Sequence, residues 1–523
     1  MAPFVHRNLH KVWYFIMQHR TYFRDCFPHA ATPLRLFMVA LVLAGAYTPH
    51  LAAQPRGVPI VPPAEELNAP FDSHDKALFQ EPPDVYRPET WFHFIGGNVA
   101  KPGITADLEA IAAAGISGIQ LFHGQFGGAW PGVDPQIACL SESWDDAVRF
   151  TAEECRRLGL RFTMQNCPGW AMSGGPWIAP SNAMRTLVWS RVDAKAGPLE
   201  TELPMPQPST EEWRDYQDIA VLAFPAPLGD TGVALQPDSV ESDVDLPWKA
   251  FLAGKAKIPL MLKPAAKETP HWLEVTFPEP VTVRTIEFSD VQAFNHPWCY
   301  VPGVDVSVSA VLPDGTRRQL LNTPMPQAAW QSDHPISLAC DETEGAKTYR
   351  IEIVNRHDMT LHSLRLFSAA RKNNWESEAA WTLRSIVRAS EHPKQATEAF
   401  VRPEDIQDIS ARMDSDGKLA WNVPEGAWII LRIGHVNAGK KNGPAPPEGT
   451  GWECDKLSER GPEAHFAGFI GRLDTGPLRG GLLAGMLMDS WECYTQTWTA
   501  DMESEFRDRT GYALRTWLPA VFG

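Results

Sequence analysis

The stretch WFHFIGGNVAKPGITADLEAIAAAGISGIQLF, residues 91–122, decides how this chain folds. The apolar runs WFHFI (91–95) and GIQLF (118–122) have the length of strands, and the segment between them has the composition of a helix. Thr105 is a candidate cap at its start, and Gly115 can end it. Because two parallel strands need a crossover connection, this order predicts a parallel βαβ unit.

The same order of elements continues beyond this stretch. A capping pattern at Ser143 predicts a second helix that ends at Leu158, and RFTMQ (161–165) predicts a third strand. In parallel α/β folds the loops after the strands gather on one side, where the active site lies. Three polar residues at such strand ends are therefore candidate ligands for substrate hydroxyls: His93, His123 and Asn166. For the two histidines, a structural role is an equally good interpretation.

The pattern changes after TLVWS (186–190). Apolar residues then alternate with polar ones, as in VDVSVSAVL (304–312) and YRIEIV (349–354), and PDG (313–315) marks a turn. Period-two alternation with turn residues between the runs predicts antiparallel strands with one buried face. We therefore expect an antiparallel β-sandwich of jelly-roll type.

Continuous apolar runs return near the end of the chain. GAWIILRIG (426–434) and GLLAGMLMD (481–489) predict two further buried parallel strands, and RGPEAHFAGFIGRL predicts a helix between them. About six parallel strands result, fewer than the eight of a closed barrel. The predicted fold class is thus an α/β (β/α)8-type (TIM) barrel, incomplete in this chain, with an inserted antiparallel β-sandwich domain.

This interpretation divides the chain into five parts. They are an N-terminal extension with a signal peptide (1–53), a segment leading into the barrel (54–90), the first part of the barrel (91–194), the inserted β-sandwich (195–420) and the barrel continuation (421–523).

The N-terminal extension resembles an export signal. Arg35 precedes an apolar run from Leu36 to Ala46, and small residues then allow cleavage after Ala53. The run is too short for an ordinary transmembrane helix. We expect a protein that is periplasmic or secreted, with envelope association as an alternative and no integral membrane span in the mature chain. The eight cysteines have no CxxC spacing, which argues against a zinc knuckle, but allow one or two disulfides after export.

The charge and aromatic content narrow the class of partner. The formal net charge of −16 argues against nucleic acid and anionic membranes, which bind basic surfaces. The chain has 20 tryptophans, whose flat apolar faces suit sugar rings, although most of them are expected in cores.

The sharpest candidate for catalysis is MLMDSWE (486–492). Its apolar run ends in Asp489 and Glu492, and a glycoside hydrolase uses two carboxyl groups around the scissile bond. Trp491 between them can form the wall of a sugar subsite. The alternative is a helix N-terminus that Asp489 caps.

Two other loops are candidates for substrate binding. In GWECDKLSERG (451–461), Glu453 and Asp455 can orient sugar hydroxyls or hold a hard cation, unless the segment is a solvated loop or a helix cap. In NCPGWAMSGGPWIAP (166–180), Trp170 and Trp177 can offer flat faces to a sugar, unless the loop is simply packed.

Four of these stretches, taken together, resemble glycoside hydrolase family 106, the α-L-rhamnosidases. They are residues 91–122, RLGLRFTMQNCPGWAMSGGPWIAP, GWECDKLS and MDSWECYTQTWTADMESEFRDRTGY, and the similarity covers roughly residues 80–523. The resemblance implies a (β/α)8 barrel that releases terminal α-L-rhamnose with inversion, and it implies calcium dependence without placing the ligands.

The resemblance also implies roles for the DSWE carboxylates. The essential carboxylates of the family match Asp489 and Glu492, with Glu492 as catalytic acid or base. The second catalytic glutamate of the family lies well over a hundred residues further on, whereas this chain ends at Gly523. We therefore expect a truncated chain that is inactive by itself. The alternatives are a non-catalytic carbohydrate-binding protein and a barrel glycosidase for another sugar.

Overall fold

The structure is a computed structural model. It describes residues 65, 68, 70–125, 132–206, 215–253, 259–289, 292–293, 304–326, 334–384 and 393–523. The predicted signal peptide, residues 1–53, lies outside these ranges. No helix within them is long and apolar enough to cross a membrane.

The strands are β1 (Glu89–Ile95), β2 (Gly118–Gly124), β3 (Arg161–Gln165), β4 (Arg185–Glu202), β5 (Gln217–Pro225), β6 (Ser239–Ser242), β7 (Leu260–Leu262), β8 (His271–Val281), β9 (Thr285–Phe288), β10 (Gln292–Ala293), β11 (Val304–Val311), β12 (Arg317–Pro324), β13 (Ile336–Ala339), β14 (Ala346–Asn355), β15 (Met359–Leu361), β16 (Leu364–Phe367), β17 (Gln407–Asp408), β18 (Lys418–Asn437) and β19 (Gly485–Leu487). The helices are α1 (Ser73–Gln80), α2 (Lys101–Ala113), α3 (Glu142–Leu158), α4 (Trp248–Leu252), α5 (Trp375–Glu378), α6 (Arg460–Gly468), α7 (Ile470–Thr475) and α8 (Met502–Thr510).

The chain forms two compact units. Of the described residues, the parallel unit takes those up to Asn166 together with Gly471–Leu487, and the antiparallel unit takes those within Cys167–Ile470 together with Met488–Gly523.

The parallel unit contains the predicted βαβ succession. Strands β1, β2, β3 and β19 form a parallel sheet in that order, and α2 and α3 are the crossover helices. Helix α2 begins at Lys101 and not at Thr105, because Pro102 fits its first turn. The Thr105 hydroxyl instead donates to Glu154 of α3 at 2.9 Å. Helix α3 is capped by Ser141, two residues before the predicted start.

Only part of the predicted barrel appears in the described residues. Their parallel sheet has four strands and is not closed, so a (β/α)8 barrel is not confirmed. The last of these strands, β19, is three residues long and carries Met486 with 44% of its surface exposed. The prediction of a buried strand over 481–489 was therefore wrong in both length and burial.

Residues 426–434 were also assigned wrongly. They belong to β18, which pairs antiparallel with β4 and β5 in a four-stranded sheet of the antiparallel unit. Ile429, Leu431 and Ile433 enter one hydrophobic core, while Trp428 and Ile430 enter another. A strand buried on both faces has a continuous apolar sequence whether its neighbours are parallel or antiparallel, so the pattern alone did not separate the two.

The predicted antiparallel, sandwich-like region is present. A five-stranded sheet (β12-β11-β14-β8-β6) and two three-stranded sheets (β13-β9-β16 and β10-β15-β7) lie in the antiparallel unit. Val304, Val306 and Val308 of β11 are buried in one core with Ile286 and Leu366 of the second sheet. The period-two alternation of apolar residues therefore predicted this buried face correctly. Strands β4 and β18 run across the predicted domain boundaries at 194/195 and 420/421.

His123 near the end of β2 is packed inside the parallel unit. It is 2% exposed, and its Nδ1 accepts a hydrogen bond from Trp144 Nε1 at 2.6 Å. Burial lowers the pKa of His123 to about 4, against a smaller opposing effect of the Gly96 backbone. The imidazole is therefore neutral in the folded protein at pH 7 and packs against its neighbours.

This burial predicts acid sensitivity. Between about pH 6.5 and 4 the unfolded chain binds a proton at His123 that the folded chain does not bind, so stability falls as pH falls. The full effect is about 3 kcal/mol, at 1.36 kcal/mol for each pKa unit. His123→Asn keeps an acceptor for Trp144 but does not titrate, so urea unfolding should lose less stability between pH 7 and 4.5. An equal loss in both proteins would contradict the prediction, and His74→Asn, at an exposed histidine, is the control.

Candidate active-site loop

The DSWE segment forms a loop in the antiparallel unit. Asp489 is half-buried and Glu492 is exposed. Ser490 contacts both carboxylates: its backbone N–H donates to Asp489 Oδ1 at 2.8 Å, and its hydroxyl donates to Glu492 Oε1 at 2.9 Å. The next helix, α8, begins only at Met502, so Asp489 does not cap a helix. The segment thus presents an oriented glutamate to solvent.

The residues on both sides of Glu492 are anchored. The Trp491 indole N–H donates to the Tyr494 carbonyl, and its ring lies 4.8 Å from the ammonium of Lys456. Cys493 is buried, and its Sγ lies 3.5 Å from the same ammonium. Lys456 therefore contacts both neighbours of the exposed glutamate, which limits the positions that the Glu492 backbone can take.

Lys456 is one partner of a buried ion pair. Its ammonium lies 2.7 Å from Oε2 of Glu453, whose side chain is fully buried, and the Ser173 hydroxyl donates to the same oxygen at 2.6 Å. The other oxygen, Oε1, has no hydrogen-bond partner among the described residues. Burial by itself lowers the pKa of Lys456, but the Glu453 charge with Cys493 and Cys454 offsets this, and the pKa is raised. The Lys456 side chain is therefore an ammonium at neutral pH.

Asp455 forms a second buried contact with the segment that follows DSWE. It is 3% exposed and accepts hydrogen bonds from the Gln496 amide and, at 2.7 Å, from the Thr499 hydroxyl. Glu453 and Asp455 were both predicted to contact sugar. The structure buries both and engages them with protein groups, because their segment packs under the DSWE loop. Both side chains therefore contact the segments around the DSWE loop, and their role in binding sugar stays a prediction.

The two tryptophans of the glycine-rich loop differ. Trp177 stacks on Phe469 with ring centroids 5.3 Å apart, and its indole N–H donates to His465 Nδ1 at 3.2 Å. A Cβ on Gly468 would lie 2.2 Å from the Trp177 ring, so the helix approaches the ring as closely as glycine allows. Trp177 is half-buried and packs against this helix. Trp170 is half-buried, and its backbone N–H donates to Gly443 at 3.4 Å.

The other three predicted ligands belong to the parallel unit. His93 is half-buried with a pKa lowered by burial, and His123 is packed against Trp144. Asn166 is 3% exposed, and its backbone N–H donates to Leu487 of β19 at 2.9 Å. The strand ends thus carry these residues as predicted, with Asn166 and His123 buried.

The described residues do not supply an evident metal site. No three of their His, Cys, Asp or Glu side chains come together as a bound ion would require. Calcium dependence therefore stays a prediction of the family resemblance. Cys155, Cys340, Cys454 and Cys493 are buried free thiols.

The sequence interpretation missed most of the residues that hold the loop. Lys456 stands three positions after Glu453, a spacing that allows an ion pair, and this was the available signal. Ser173, Gln496 and Thr499 contact the carboxylates from other segments, and their positions in the sequence carry no such signal.

Comparison with known proteins identifies the family. Residues 80–523 match glycoside hydrolase family 106, described as alpha-L-rhamnosidase. The chain belongs to this family.

Two relatives give the context of the match. The solved structure of a rhamnosidase from Novosphingobium sp. PP1Y is 27% identical with a TM-score of 0.66, over 86% of this chain and 42% of that one. A protein of Formosa agariphila named putative beta-glucuronidase is 29% identical over 469 residues, which are 89% of this chain and 27% of that protein. The chain thus spans less than half the length of either relative.

The buried ion pair yields a prediction about stability. Lys456→Met should lower the free energy of unfolding by about 3–5 kcal/mol, because it leaves the Glu453 carboxylate buried and uncompensated. The double variant Glu453→Leu, Lys456→Met should recover most of this loss. Urea unfolding followed by tryptophan fluorescence measures both.

Lys418→Met, at an exposed lysine of β18, is the matched control. A Lys456→Met protein as stable as the parent would contradict a charged, buried pair.

Proposed function

We propose that this protein is a glycoside hydrolase that releases terminal α-L-rhamnose from rhamnosides or rhamnose-containing polysaccharides, with Glu492 in the catalytic centre. The observation that carries the proposal is the exposed Glu492 carboxylate, oriented by Ser490 and fixed between two anchored residues. The family match supports the same activity. We further propose export to the periplasm or the medium, since the natural rhamnosides are glycans.

The proposed chemistry is an inverting acid–base reaction. Such a mechanism needs two carboxyl groups about 6.5–9.5 Å apart, with room for a water molecule between the base and the anomeric carbon. Asp489 and Glu492 both contact Ser490 on one short segment, which does not suit two groups that must flank a sugar. Glu492 accordingly transfers the proton. The half-buried Asp489 orients either the sugar or the Glu492 side chain. Calcium enters no step of this proposal.

Trp170 is the candidate sugar platform of the glycine-rich loop. Trp170 and Trp177 are both half-buried, but Trp177 stacks on Phe469 and donates to His465. A ring that stays partly accessible can cover the apolar face of a sugar.

A glycosidase for another sugar is the second candidate. The name of the Formosa agariphila relative, putative beta-glucuronidase, favours it. Assays of aryl α-L-rhamnoside and aryl β-glucuronide with the same enzyme separate the two. Rhamnose binding without cleavage of any glycoside would instead favour a carbohydrate-binding protein.

The first test is Glu492→Gln, made in the full reading frame that contains this sequence. Removing a general acid or base should lower kcat for an aryl α-L-rhamnoside about 10²–10⁴-fold. The isosteric amide retains an acceptor for Ser490, so the loop should stay folded. Glu425→Gln, on the exposed part of β18, is the control. Near-normal turnover by Glu492→Gln would refute the assignment.

The second test is Trp170→Ala in the same protein. Loss of the apolar face should raise KM for the rhamnoside about tenfold, the effect of roughly 1.4 kcal/mol. Trp517→Ala, at a tryptophan 45% exposed elsewhere in the unit, should leave KM unchanged. Unchanged kinetics in Trp170→Ala would return the whole loop to a packing role.

A further inference from the structure

Two hydrogen bonds connect the three polar side chains of the DSWE loop. Asp489 Oδ1 accepts from the Ser490 backbone N–H at 2.8 Å, and the Ser490 hydroxyl donates to Glu492 Oε1 at 2.9 Å. Asp489 is half-buried, whereas Ser490 and Glu492 are exposed. The two bonds therefore link the more buried carboxylate to the one that faces solvent, and Ser490 lies between them.

The Ser490 contact orients a side chain whose backbone is already held. Trp491 and Cys493, on either side of Glu492, both contact the Lys456 ammonium. The Glu492 side chain keeps rotatable bonds of its own, and an exposed carboxylate can take several rotamers in water. A hydrogen bond to a charged acceptor is stronger than one between neutral groups. The Ser490 hydroxyl therefore favours the rotamers that bring Oε1 to it.

This contact makes the two oxygens of Glu492 inequivalent. Oε1 accepts the Ser490 hydroxyl, while no hydrogen bond from a described residue occupies Oε2. A carboxyl group can carry a proton on one oxygen while the other oxygen still accepts a hydrogen bond. A proton can therefore arrive at Oε2, or leave it, without breaking the bond from Ser490.

We propose that Ser490 and Asp489 are positioning residues that select Oε2 of Glu492 as the oxygen that exchanges the proton. Asp489 acts through Ser490, because its Oδ1 holds the Ser490 N–H and so limits where the hydroxyl can point. The inference rests on the proposed function of Glu492. It assigns Asp489 to the orientation of the Glu492 side chain and not to the sugar.

The proton balance is the same for either role of Glu492. In the acid role, Oε2 gives its proton to the glycosidic oxygen, which leaves the anomeric carbon with the electron pair of the broken bond. In the base role, Oε2 takes a proton from the water molecule that forms the new bond to this carbon. In both roles, Oε1 remains the acceptor for Ser490.

The first experiment compares Ser490 variants in the full reading frame, with an aryl α-L-rhamnoside as substrate. Ser490→Ala should lower kcat about tenfold and change KM by less than roughly twofold, because the hydroxyl positions a reacting group and does not bind the sugar. Ser490→Thr keeps the hydroxyl and should retain most of the parent kcat. Ser504→Ala is the matched control, since it removes an exposed hydroxyl that donates to the Asp501 carbonyl. A parent-like kcat in Ser490→Ala, or an equal loss in Ser490→Thr, would overturn the positioning role.

Double variants show whether the effects pass through Glu492. Ser490→Ala should not slow Glu492→Gln any further, since the oxygen that the serine positions no longer exchanges a proton. Asp489→Ala combined with Ser490→Ala should be about tenfold slower than the parent, and not about a hundredfold, if the aspartate acts through the serine. Losses that multiply in either pair would contradict the inference. A raised KM in Asp489→Ala alone would assign the aspartate to the sugar instead.

The outcomes separate this inference from the proposed function. If Glu492→Gln loses activity but Ser490→Ala does not, only the positioning role is refuted. If the enzyme cleaves an aryl β-glucuronide and not the rhamnoside, the rhamnose assignment has failed, and the same variants compared on the glucuronide decide the role of Ser490. If Glu492→Gln turns over normally, or neither glycoside is cleaved, Glu492 does not transfer the proton and the inference is refuted with it.

Discussion

The ion pair between Glu453 and Lys456 is the interaction on which the candidate site depends. Two buried charges cost several kcal/mol of desolvation each, and their attraction repays this only when further polar contacts complete the arrangement. Here Ser173 donates to the carboxylate, while the ammonium contacts the neighbours of Glu492 on both sides. The pair thus fixes the position of the loop that carries the exposed Glu492 carboxylate.

The segment that carries Glu492 is in turn attached to the four-stranded antiparallel sheet, which is buried on both faces. Strands β4 and β18 pair over most of their length, and their alternating side chains enter two separate cores. Thr186 and Leu187 of β4 contact the Thr497 hydroxyl, in the segment after DSWE, at 3.2 and 2.8 Å. The antiparallel sheet therefore holds the segment that follows Glu492 in the chain.

Much of the fold could be predicted because its periodicities are local. The βαβ succession over residues 91–165 and the alternation in β11 and β14 each follow from neighbouring residues. The prediction was wrong for 426–434 because burial on both faces erases the alternation that marks an antiparallel strand. It was wrong for 481–489 because an apolar run does not reveal that one face of the strand stays exposed.

For the site, the sequence by itself determined the chemistry available: a DSWE carboxylate pair, a tryptophan-bearing glycine loop and an acidic GWECDKLS segment, all of which carry the family resemblance. Only the tertiary structure decided which of these residues pack against other protein groups. It buried Glu453 and Asp455, stacked the half-buried Trp177 on Phe469 and left Glu492 exposed. The physical reason is that burial and pairing depend on residues distant in sequence. A carboxylate on a loop has the same local pattern whether it faces solvent or a lysine.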